Sequence, residues 1–283
     1  MKLGLALSGG GIRGIAHAGA IKALEDNGIK IDVIGGTSSG ALVSSLYALG
    51  YSPYYIYILF KRYARDIINI RSKPIINGIT NFIRNNKIGI AGLSDGNEFE
   101  KMYDELARKK GFRLIGDIKM PLLVSAVDIG ESKEYIFTNC ASRKNIKDNY
   151  ITEIGIGRAV RASSSFPAIF CPCEYKNHIF MDGGVLNNLP TEELKKVYTG
   201  KIISVNFESD PVYNDYDIMN IIMKTLDIMG NKLSINSLKK SDFVLTVPTD
   251  GTGLIDVDKM DICYKYGYEI AIKNIDKIRK MLE

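Results

Sequence analysis

Tryptophan is absent from this 283-residue chain, and histidine occurs only twice. The four cysteines, Cys140, Cys171, Cys173 and Cys263, form no C-x-x-C pair, so the spacing typical of a zinc or redox site is missing. We therefore expect reduced cysteines and no bound metal. No stretch approaches about 18 uninterrupted apolar residues, and the first residues do not resemble a signal peptide. The lack of these features predicts a cytoplasmic protein without a membrane-spanning helix.

Positive charge is concentrated in one segment. The net charge is +5 at pH 7, and residues 61–87 contain seven Lys or Arg residues and one Asp, which gives 7 − 1 = +6. The segment is rich in isoleucine and follows the tyrosine-rich stretch "YSPYYIYILF". This mixture predicts peripheral contact with an anionic membrane, such as the inner membrane surface, and a solvated helical face is the alternative. No nucleic-acid reader motif accompanies the charge, so we expect no nucleic-acid partner.

Apolar strand patterns alternate with amphipathic helix patterns along the chain. Strands are expected at 2–8, 31–36, 120–129, 133–138, 200–207 and 242–248, and helices at 13–28, 97–110, 191–198, 218–238 and 258–283. Such alternation predicts an α/β fold with a mostly parallel central sheet and helices on both faces, a three-layer arrangement. No linker interrupts the pattern, and we expect one domain over residues 1–283.

The stretch "VIGGTSSG" (33–40) leads from an apolar strand into a helix through a serine between glycines. In G-x-S-x-G, here Gly36, Ser38 and Gly40, the glycines allow a sharp strand-to-helix turn that holds the serine at the start of the helix. Ser38 is therefore a candidate nucleophile. The alternative is an ordinary tight turn with a serine N-cap.

A glycine cluster follows the first predicted strand. Gly9, Gly11 and Gly14 satisfy G-x-G-x-x-G, which is typical of dinucleotide sites. The second strand, however, ends in Gly36-Thr37-Ser38, where such a site needs an acidic residue for the ribose. In a parallel sheet this loop would face the Ser38 turn, so its free amides, those of Gly10 and Gly11, could stabilise an oxyanion. Arg13 would add positive charge there, or else lie on the surface.

A nucleophilic serine needs a base. The histidines of the chain are His17 and His178, and neither follows Asp182, whereas the Ser, Asp, His order of α/β-hydrolases needs a histidine after the acid. Asp182 ends an apolar strand in "HIFMDGG", and burial in an apolar pocket would raise its pKa and make it a better base. An Asx-type turn is the alternative for D-G-G.

Four blocks in order resemble the patatin-like phospholipase family: "GGGIRG" (9–14), "GTSSG" (36–40), "RASSSFPAIFCP" (161–172) and "DGGVLNNLP" (182–190). The resemblance implies a Ser38 nucleophile, an Asp182 base and an oxyanion hole at Gly9, Gly10 and Gly11. It also implies hydrolysis of fatty acyl esters without a metal or cofactor. The supporting positions are Arg13, Gly14, Gly36, Gly40, Gly183 and Gly184. Two departures are Ser39, where the family commonly has alanine, and Gly184 as the closing small residue of D-G-G.

The sequence thus predicts a lipid acyl hydrolase whose partners are fatty acyl ester lipids, and it leaves the oligomeric state open. Two alternatives remain. One is a lipid-binding or regulatory protein with the same fold and weak turnover. The other is a nucleotide-binding protein that uses the loop 9–14.

Overall fold

The computed structural model describes residues 2–69, 94–140, 148–167, 169–208 and 218–283. The strands are β1 (Leu3–Leu7), β2 (Val33–Thr37), β3 (Leu122–Asp128), β4 (Lys133–Thr138), β5 (Tyr150–Ile151), β6 (Cys173–Tyr175), β7 (His178–Asp182), β8 (Lys201–Phe207) and β9 (Phe243–Val247). The helices are α1 (Ile15–Asp26), α2 (Ser39–Ala48), α3 (Pro53–Asn69), α4 (Asn97–Lys109), α5 (Ile156–Ser163), α6 (Thr191–Val197), α7 (Ile218–Lys240), α8 (Met260–Lys273) and α9 (Ile275–Leu282). Short 3-10 turns lie at Gly11–Gly14, Ile115–Asp117, Gly183–Val185 and Val257–Lys259.

The strands form one sheet in the order β5-β4-β3-β2-β1-β8-β9, with the β6–β7 hairpin attached to β3. The pairs β1–β2, β1–β8, β2–β3, β4–β5 and β8–β9 are parallel. The antiparallel pairs are β3–β4, β3–β7 and β6–β7. The predicted fold class, α/β with a mostly parallel sheet, is confirmed.

Helices cover both faces of the sheet. Successive side chains of β1 therefore point into two different apolar cores. Leu5 and Leu7 belong to the larger core, which α1, α2, α3, α4, α5 and α8 cover. Ala6 points the other way, into a smaller core that includes Leu194 and Val197 of α6. Side chains of a strand alternate between faces, so both faces of this strand are buried.

Strands β2 and β7 meet end to end on the same edge of β3. Thr37, the last residue of β2, pairs with Ser125, and Asp182, the last residue of β7, pairs with the next residue, Ala126. The opposite edge of β3 is occupied by β4. The antiparallel direction of β7 therefore brings the carboxyl ends of the two strands together, with Ser38 directly after one of them.

The C-terminal helix differs from the prediction. The sequence pattern indicates one helix over 258–283, but the structure has a 3-10 turn followed by α8 and α9, which are separated at Asn274. The side-chain amide of Asn274 donates to the carbonyl of Ile270 (2.8 Å). Asparagine competes in this way with regular helix hydrogen bonding, and apolar periodicity alone does not register the break.

No helix in the described ranges is both long and apolar enough to cross a bilayer. The basic segment predicted to contact membrane, 61–87, lies mostly outside the described residues. Its first part belongs to α3, where Lys61 forms an ion pair with Asp261 (2.5 Å) and Arg62 and Arg65 are exposed. Membrane contact by this segment stays a prediction.

Candidate active site

Ser38 lies in a strained turn between β2 and α2. Its φ of 55° and ψ of −122° are unusual for a residue with a side chain, and its side chain is half-buried. A Cβ added to Gly36 would lie 2.2 Å from the carbonyl carbon of Gly40, and one added to Gly40 would lie 2.3 Å from the carbonyl oxygen of Leu7. Both glycines are therefore required by the close approach of backbone, as the G-x-S-x-G pattern predicts.

Hydrogen bonds from outside the turn hold the backbone of Ser38. Its amide donates to Oγ of Ser163 (3.0 Å), and its carbonyl oxygen accepts from Oγ of Ser164 (3.4 Å). The hydroxyl of Thr37 donates to the carbonyl oxygen of Asn187 (2.9 Å). These bonds compensate for the strain and fix the direction of the Ser38 side chain.

Asp182 lies beside this turn and is 2% exposed. Its amide donates to the carbonyl of Ser165 (3.1 Å), and its Oδ1 accepts from the amide of Gly184 (2.8 Å). This second bond is the Asx-type turn that the alternative interpretation of D-G-G expects, so the turn and the candidate site coexist. Gly183 packs against the neighbouring strand, because an added Cβ would lie 2.4 Å from the carbonyl oxygen of Ser125.

Burial raises the pKa of Asp182 to about 6, and hydrogen bonding from Ser38 and from the Gly184 amide opposes this rise. The contact between Ser38 and Asp182 falls short of ordinary hydrogen-bond geometry, since Oδ2 of Asp182 is buried without a partner that meets it. Catalytic hydrogen bonds often tighten only when substrate binds. The structure thus brings a buried carboxylate with a raised pKa close to Ser38.

The glycine loop after β1 lies against the Ser38 turn. A Cβ added to Gly9 would lie 3.2 Å from Cβ of Ser38, and Gly11 has a φ of 59°. In the part of the chain that the structure describes, the amides of Gly10 and Gly11 have no protein acceptor. The amide of Gly9 instead donates to the carbonyl of Asn188 (3.0 Å). The amide of Gly9 is thus occupied in this structure, and the role of Gly9, Gly10 and Gly11 as an oxyanion hole stays a prediction.

Arg13 is buried, so its predicted surface alternative is wrong. Its Nε donates to the carbonyl of Gly10 (3.2 Å), its guanidinium pairs with Asp227 (2.5 Å), and it lies 5.4 Å from the ring centre of Phe207. In a planar trans peptide the next amide points away from the carbonyl. By holding the carbonyl of Gly10, Arg13 therefore orients the amide of Gly11.

Gly14 packs the first helix against the Ser38 turn. An added Cβ would lie 2.3 Å from Oγ of Ser39, which is buried. Ser39 is the position where the sequence departs from the common alanine, and its hydroxyl lacks a hydrogen-bond partner. This close contact between Gly14 and Ser39 thus fixes the turn at 11–14 against the Ser38 turn.

Two cavities meet at Ser38. The larger encloses about 930 Å³, part of it open to solvent, and its wall is almost entirely apolar. That wall includes Phe60, Tyr63, Leu42, Ile169, Phe170 and Met223. The smaller lies on the side of Asp182 and the glycine loop and includes Asn188 and Asp227. The arrangement suits a long apolar group on one side of the serine and a more polar group on the other.

Both histidines are engaged elsewhere. His17 is buried in α1, where its Nε2 donates to the carbonyl of Ser8 (2.8 Å), and burial lowers its pKa to about 4. His178 Nδ1 lies 2.6 Å from Oδ2 of Asp128. Among the described residues Asp128, Glu131 and His178 form the group that could hold a metal ion, with ligand atoms within 4.8 Å of one another. His178 hydrogen-bonds with Asp128 and also lies within ion-pair distance of Glu131 (3.8 Å).

Several residues that position the site were not identified from the sequence. Ser163 and Ser165 belong to the block 161–172, whose run of three serines is the sequence signal for them. Asn187 has no such signal: its side-chain amide donates to Oε1 of Glu134 (2.8 Å), which also accepts from Oγ of Ser125 (2.7 Å). Burial raises the pKa of Glu134 to about 7.

Comparison with known proteins gives one family match. The family model described as Patatin-like phospholipase matches residues 5–195. Lysophospholipase NTE1 of Meyerozyma guilliermondii is 28% identical over 95% of this chain, and the chain spans about a fifth, 19%, of its length. The uncharacterized protein YqhO of Bacillus subtilis is 27% identical, with 97% of this chain and 95% of YqhO covered.

Two solved structures share the fold. VipD from Legionella pneumophila matches with a TM-score of 0.56 at 14% identity, over 98% of this chain and 67% of VipD. The ExoU–SpcU complex from the type III secretion system of Pseudomonas aeruginosa matches with a TM-score of 0.53 at 18% identity, over 100% of this chain and 52% of the matched chain. At these identities the likeness concerns the fold.

Proposed function

The chain belongs to the patatin-like phospholipase family, and from this premise we propose that it is a serine lipid acyl hydrolase in which Ser38 and Asp182 form a catalytic dyad. Family membership supports hydrolysis of lipids. The catalytic dyad is the more specific part of the proposal. We propose further that residues 1–283 act as one domain.

One observation carries this proposal: a serine in a strained turn and a buried carboxylate come together where β2 and β7 meet. Ser38 lines both cavities, and Asp182 lines the smaller one. Strain at a residue with positive φ persists only where surrounding contacts enforce it. The hydrogen bonds from Ser163 and Ser164 provide that enforcement.

In the first step Oγ of Ser38 attacks the carbonyl carbon of an acyl ester while Asp182 accepts the hydroxyl proton. The negative charge moves to the former carbonyl oxygen, where the amides of Gly10 and Gly11 stabilise it. Collapse of the intermediate breaks the ester C–O bond, and Asp182 returns the proton to the departing alcohol. The acyl group stays on Ser38.

In the second step water attacks the acyl-enzyme, and Asp182 accepts a proton from that water. The second tetrahedral intermediate collapses, the proton returns to Oγ of Ser38, and a fatty acid leaves. The pKa of about 6 keeps Asp182 ionised near neutral pH yet close to the range where it shuttles a proton efficiently.

The two cavities indicate a substrate class. The apolar cavity suits the acyl chain, and the smaller cavity with Asn188 and Asp227 suits the alcohol part. The relative NTE1 is named a lysophospholipase, and we propose monoacyl lipids, lysophospholipids among them, as substrates of this chain.

The test combines labelling with a lipid panel. A fluorophosphonate should modify the wild type at Ser38, as located by peptide mass spectrometry, and should not modify Ser38→Ala. Lysophospholipids, diacyl phospholipids and acylglycerols are then offered in parallel, and released fatty acids are measured. Release from no lipid by a protein that is labelled at Ser38 would reject the proposed substrate class.

A second candidate is lipid binding with weak turnover. It is favoured by the buried Oδ2 of Asp182, which receives no hydrogen bond of ordinary geometry from Ser38. A folded protein whose Ser38 does not react with the fluorophosphonate, and which still binds lipid, would support this candidate over hydrolysis.

A further inference from the structure

Helix α7 has a row of large apolar side chains on its outer side. Five of them are 40% to 50% exposed: Ile221, Ile228, Met229, Leu233 and Ile235. The three isoleucines are seven residues apart, and because seven residues complete nearly two helical turns they form one stripe along the helix. We name Ile221, Ile228 and Ile235 the isoleucine stripe.

The inner side of α7 carries small and polar residues beside the buried Met223. Gly230, Ser234 and Ser237 are buried, and Oγ of Ser234 donates to the carbonyl of Gly230 (2.8 Å). A helix that packs on a core and faces water has the opposite arrangement, with its apolar side chains inward. Contiguous exposed apolar surface of this kind indicates a partner.

The helix also forms part of the wall of both cavities at Ser38. Met223 lines the larger cavity, and Leu226, Met229 and Gly230 line the smaller one. Met229 belongs both to the exposed side and to a cavity wall, so the exposed apolar surface continues into the site. A second copy of the chain on this surface would obstruct the opening of the cavities at Ser38. A lipid layer would instead deliver lipid to that opening.

The charges of α7 favour an anionic partner. Lys232 and Lys239 are exposed and lie on the same side as the isoleucine stripe, eleven and eighteen residues after Ile221. The acidic residue of the helix, Asp227, is directed inward and paired with the buried Arg13. The outer face therefore combines isoleucine with lysine, which is the composition of helices that lie in a membrane interface.

We infer that the outer face of α7 docks on an anionic lipid bilayer and brings the opening at Ser38 to the membrane surface. The supply of substrate by this docking rests on the proposed hydrolase function, while the docking itself is measured without turnover. The docking surface belongs to the described part of the chain and is separate from the predicted segment 61–87.

The experiment uses full-length Ser38→Ala protein, so that vesicles stay intact, and measures co-sedimentation with vesicles of equal parts phosphatidylglycerol and phosphatidylcholine. Ile221→Asn/Ile228→Asn/Ile235→Asn should lower the partition coefficient at least about tenfold, because interfacial binding scales with buried apolar area. The matched control is Ile262→Asn/Ile272→Asn, which changes exposed isoleucines of α8 and should leave binding unchanged.

A charge-reversed variant, Lys232→Glu/Lys239→Glu, covers the case in which the triple variant does not fold, as judged by circular dichroism. It should also bind anionic vesicles at least about tenfold more weakly, with little change on pure phosphatidylcholine. Wild-type binding by a folded triple variant, or by the charge-reversed one, would overturn the inference. So would light scattering that shows a wild-type dimer and a monomeric triple variant, since a second copy would then cover the face.

Failure of the membrane docking can be distinguished from failure of the proposed hydrolase function. With Ser38 restored, the triple variant should hydrolyse a soluble short-chain ester like the wild type, because none of the three isoleucines lines a cavity. If the wild type hydrolyses no ester at all, the vesicle measurement on Ser38→Ala still decides the docking.

Discussion

The amide of Gly9 donates a hydrogen bond of 3.0 Å to the carbonyl oxygen of Asn188, and this bond links the glycine loop to the loop that follows Asp182. The preceding carbonyl, that of Asn187, accepts the hydroxyl of Thr37 (2.9 Å). The segment 187–188 thus fixes the glycine loop, the Ser38 turn and the Asp182 turn relative to one another. The geometry of the proposed dyad therefore depends on the anchoring of residues 187 and 188.

Glu134 provides part of that anchoring, because its Oε1 accepts the side-chain amide of Asn187 and the hydroxyl of Ser125. We expect Glu134→Leu to lower kcat about tenfold or more with little change in KM, since the site would lose position and not substrate contacts. Glu134→Gln, which keeps an acceptor oxygen, should recover most of the activity. Equal loss in both variants, or a loss confined to KM, would contradict the positioning role.

The activity should depend on pH through Asp182. Its pKa is raised to about 6 by burial, and only the ionised carboxylate can accept the proton of Ser38. We therefore expect kcat/KM for a soluble ester to rise with pH through an inflection near 6 and then level off. The measurement is a pH profile over the range where the protein stays folded. A profile that is flat between pH 5 and pH 7, about one unit either side of that pKa, would exclude Asp182 as the base.

Asp182 should also lower stability at neutral pH. Below pH about 4 the carboxyl is protonated in both folded and unfolded chains and costs nothing. As the pH rises towards 6 the unfolded chain loses this proton more readily than the folded one, so the free energy of unfolding falls. Above the folded pKa the penalty is complete, at up to about 3 kcal/mol for a shift of roughly two units.

Asp182→Asn removes this penalty while keeping an oxygen for the Gly184 amide. We expect the variant to be more stable than the wild type at pH 7, by about 1 to 3 kcal/mol in urea unfolding. The difference should shrink at pH 4. A variant that is less stable than the wild type at pH 7 would show that the ionised carboxylate is compensated by contacts other than those described.

The Ser38 turn gives a prediction for stability alone. Gly40→Ala would place a methyl group 2.3 Å from the carbonyl oxygen of Leu7 and 2.7 Å from that of Ser8, and backbone cannot move aside cheaply. We expect a loss of about 3 kcal/mol or more. Gly50→Ala is the control: its φ is 82° with open space around it, so it should cost only about 1 kcal/mol. Similar urea midpoints for the two variants would contradict the close packing of the turn.

The sequence predicted those parts of the structure that depend on local pattern. The continuous apolar run of β1 and the G-x-S-x-G turn at Ser38 are local, and both are as expected. The end-to-end meeting of β2 and β7 on β3 is not local, because register between strands 145 residues apart (37 to 182) is set by tertiary packing. For the same reason the bond from Gly9 to Asn188 was not foreseen.

The outward face of α7 shows a second feature that the sequence pattern does not predict. Its helical periodicity was correctly predicted, but periodicity does not say which side of a helix faces the core. Ser234 and Ser237 face inward, although composition would place them outside. Only the tertiary structure shows that the isoleucine stripe is exposed.

We propose that Asp182, and neither histidine, is the base for Ser38. The most direct test is the rate of fatty acid release from a lysophospholipid by the wild type, Asp182→Asn, Ser38→Ala, the double variant and His178→Asn, each shown to be folded. We expect a loss of about a thousandfold or more in Asp182→Asn and in Ser38→Ala, a double variant little worse than either, and near wild-type activity for His178→Asn. Near wild-type activity for Asp182→Asn together with an inactive His178→Asn would contradict this proposal.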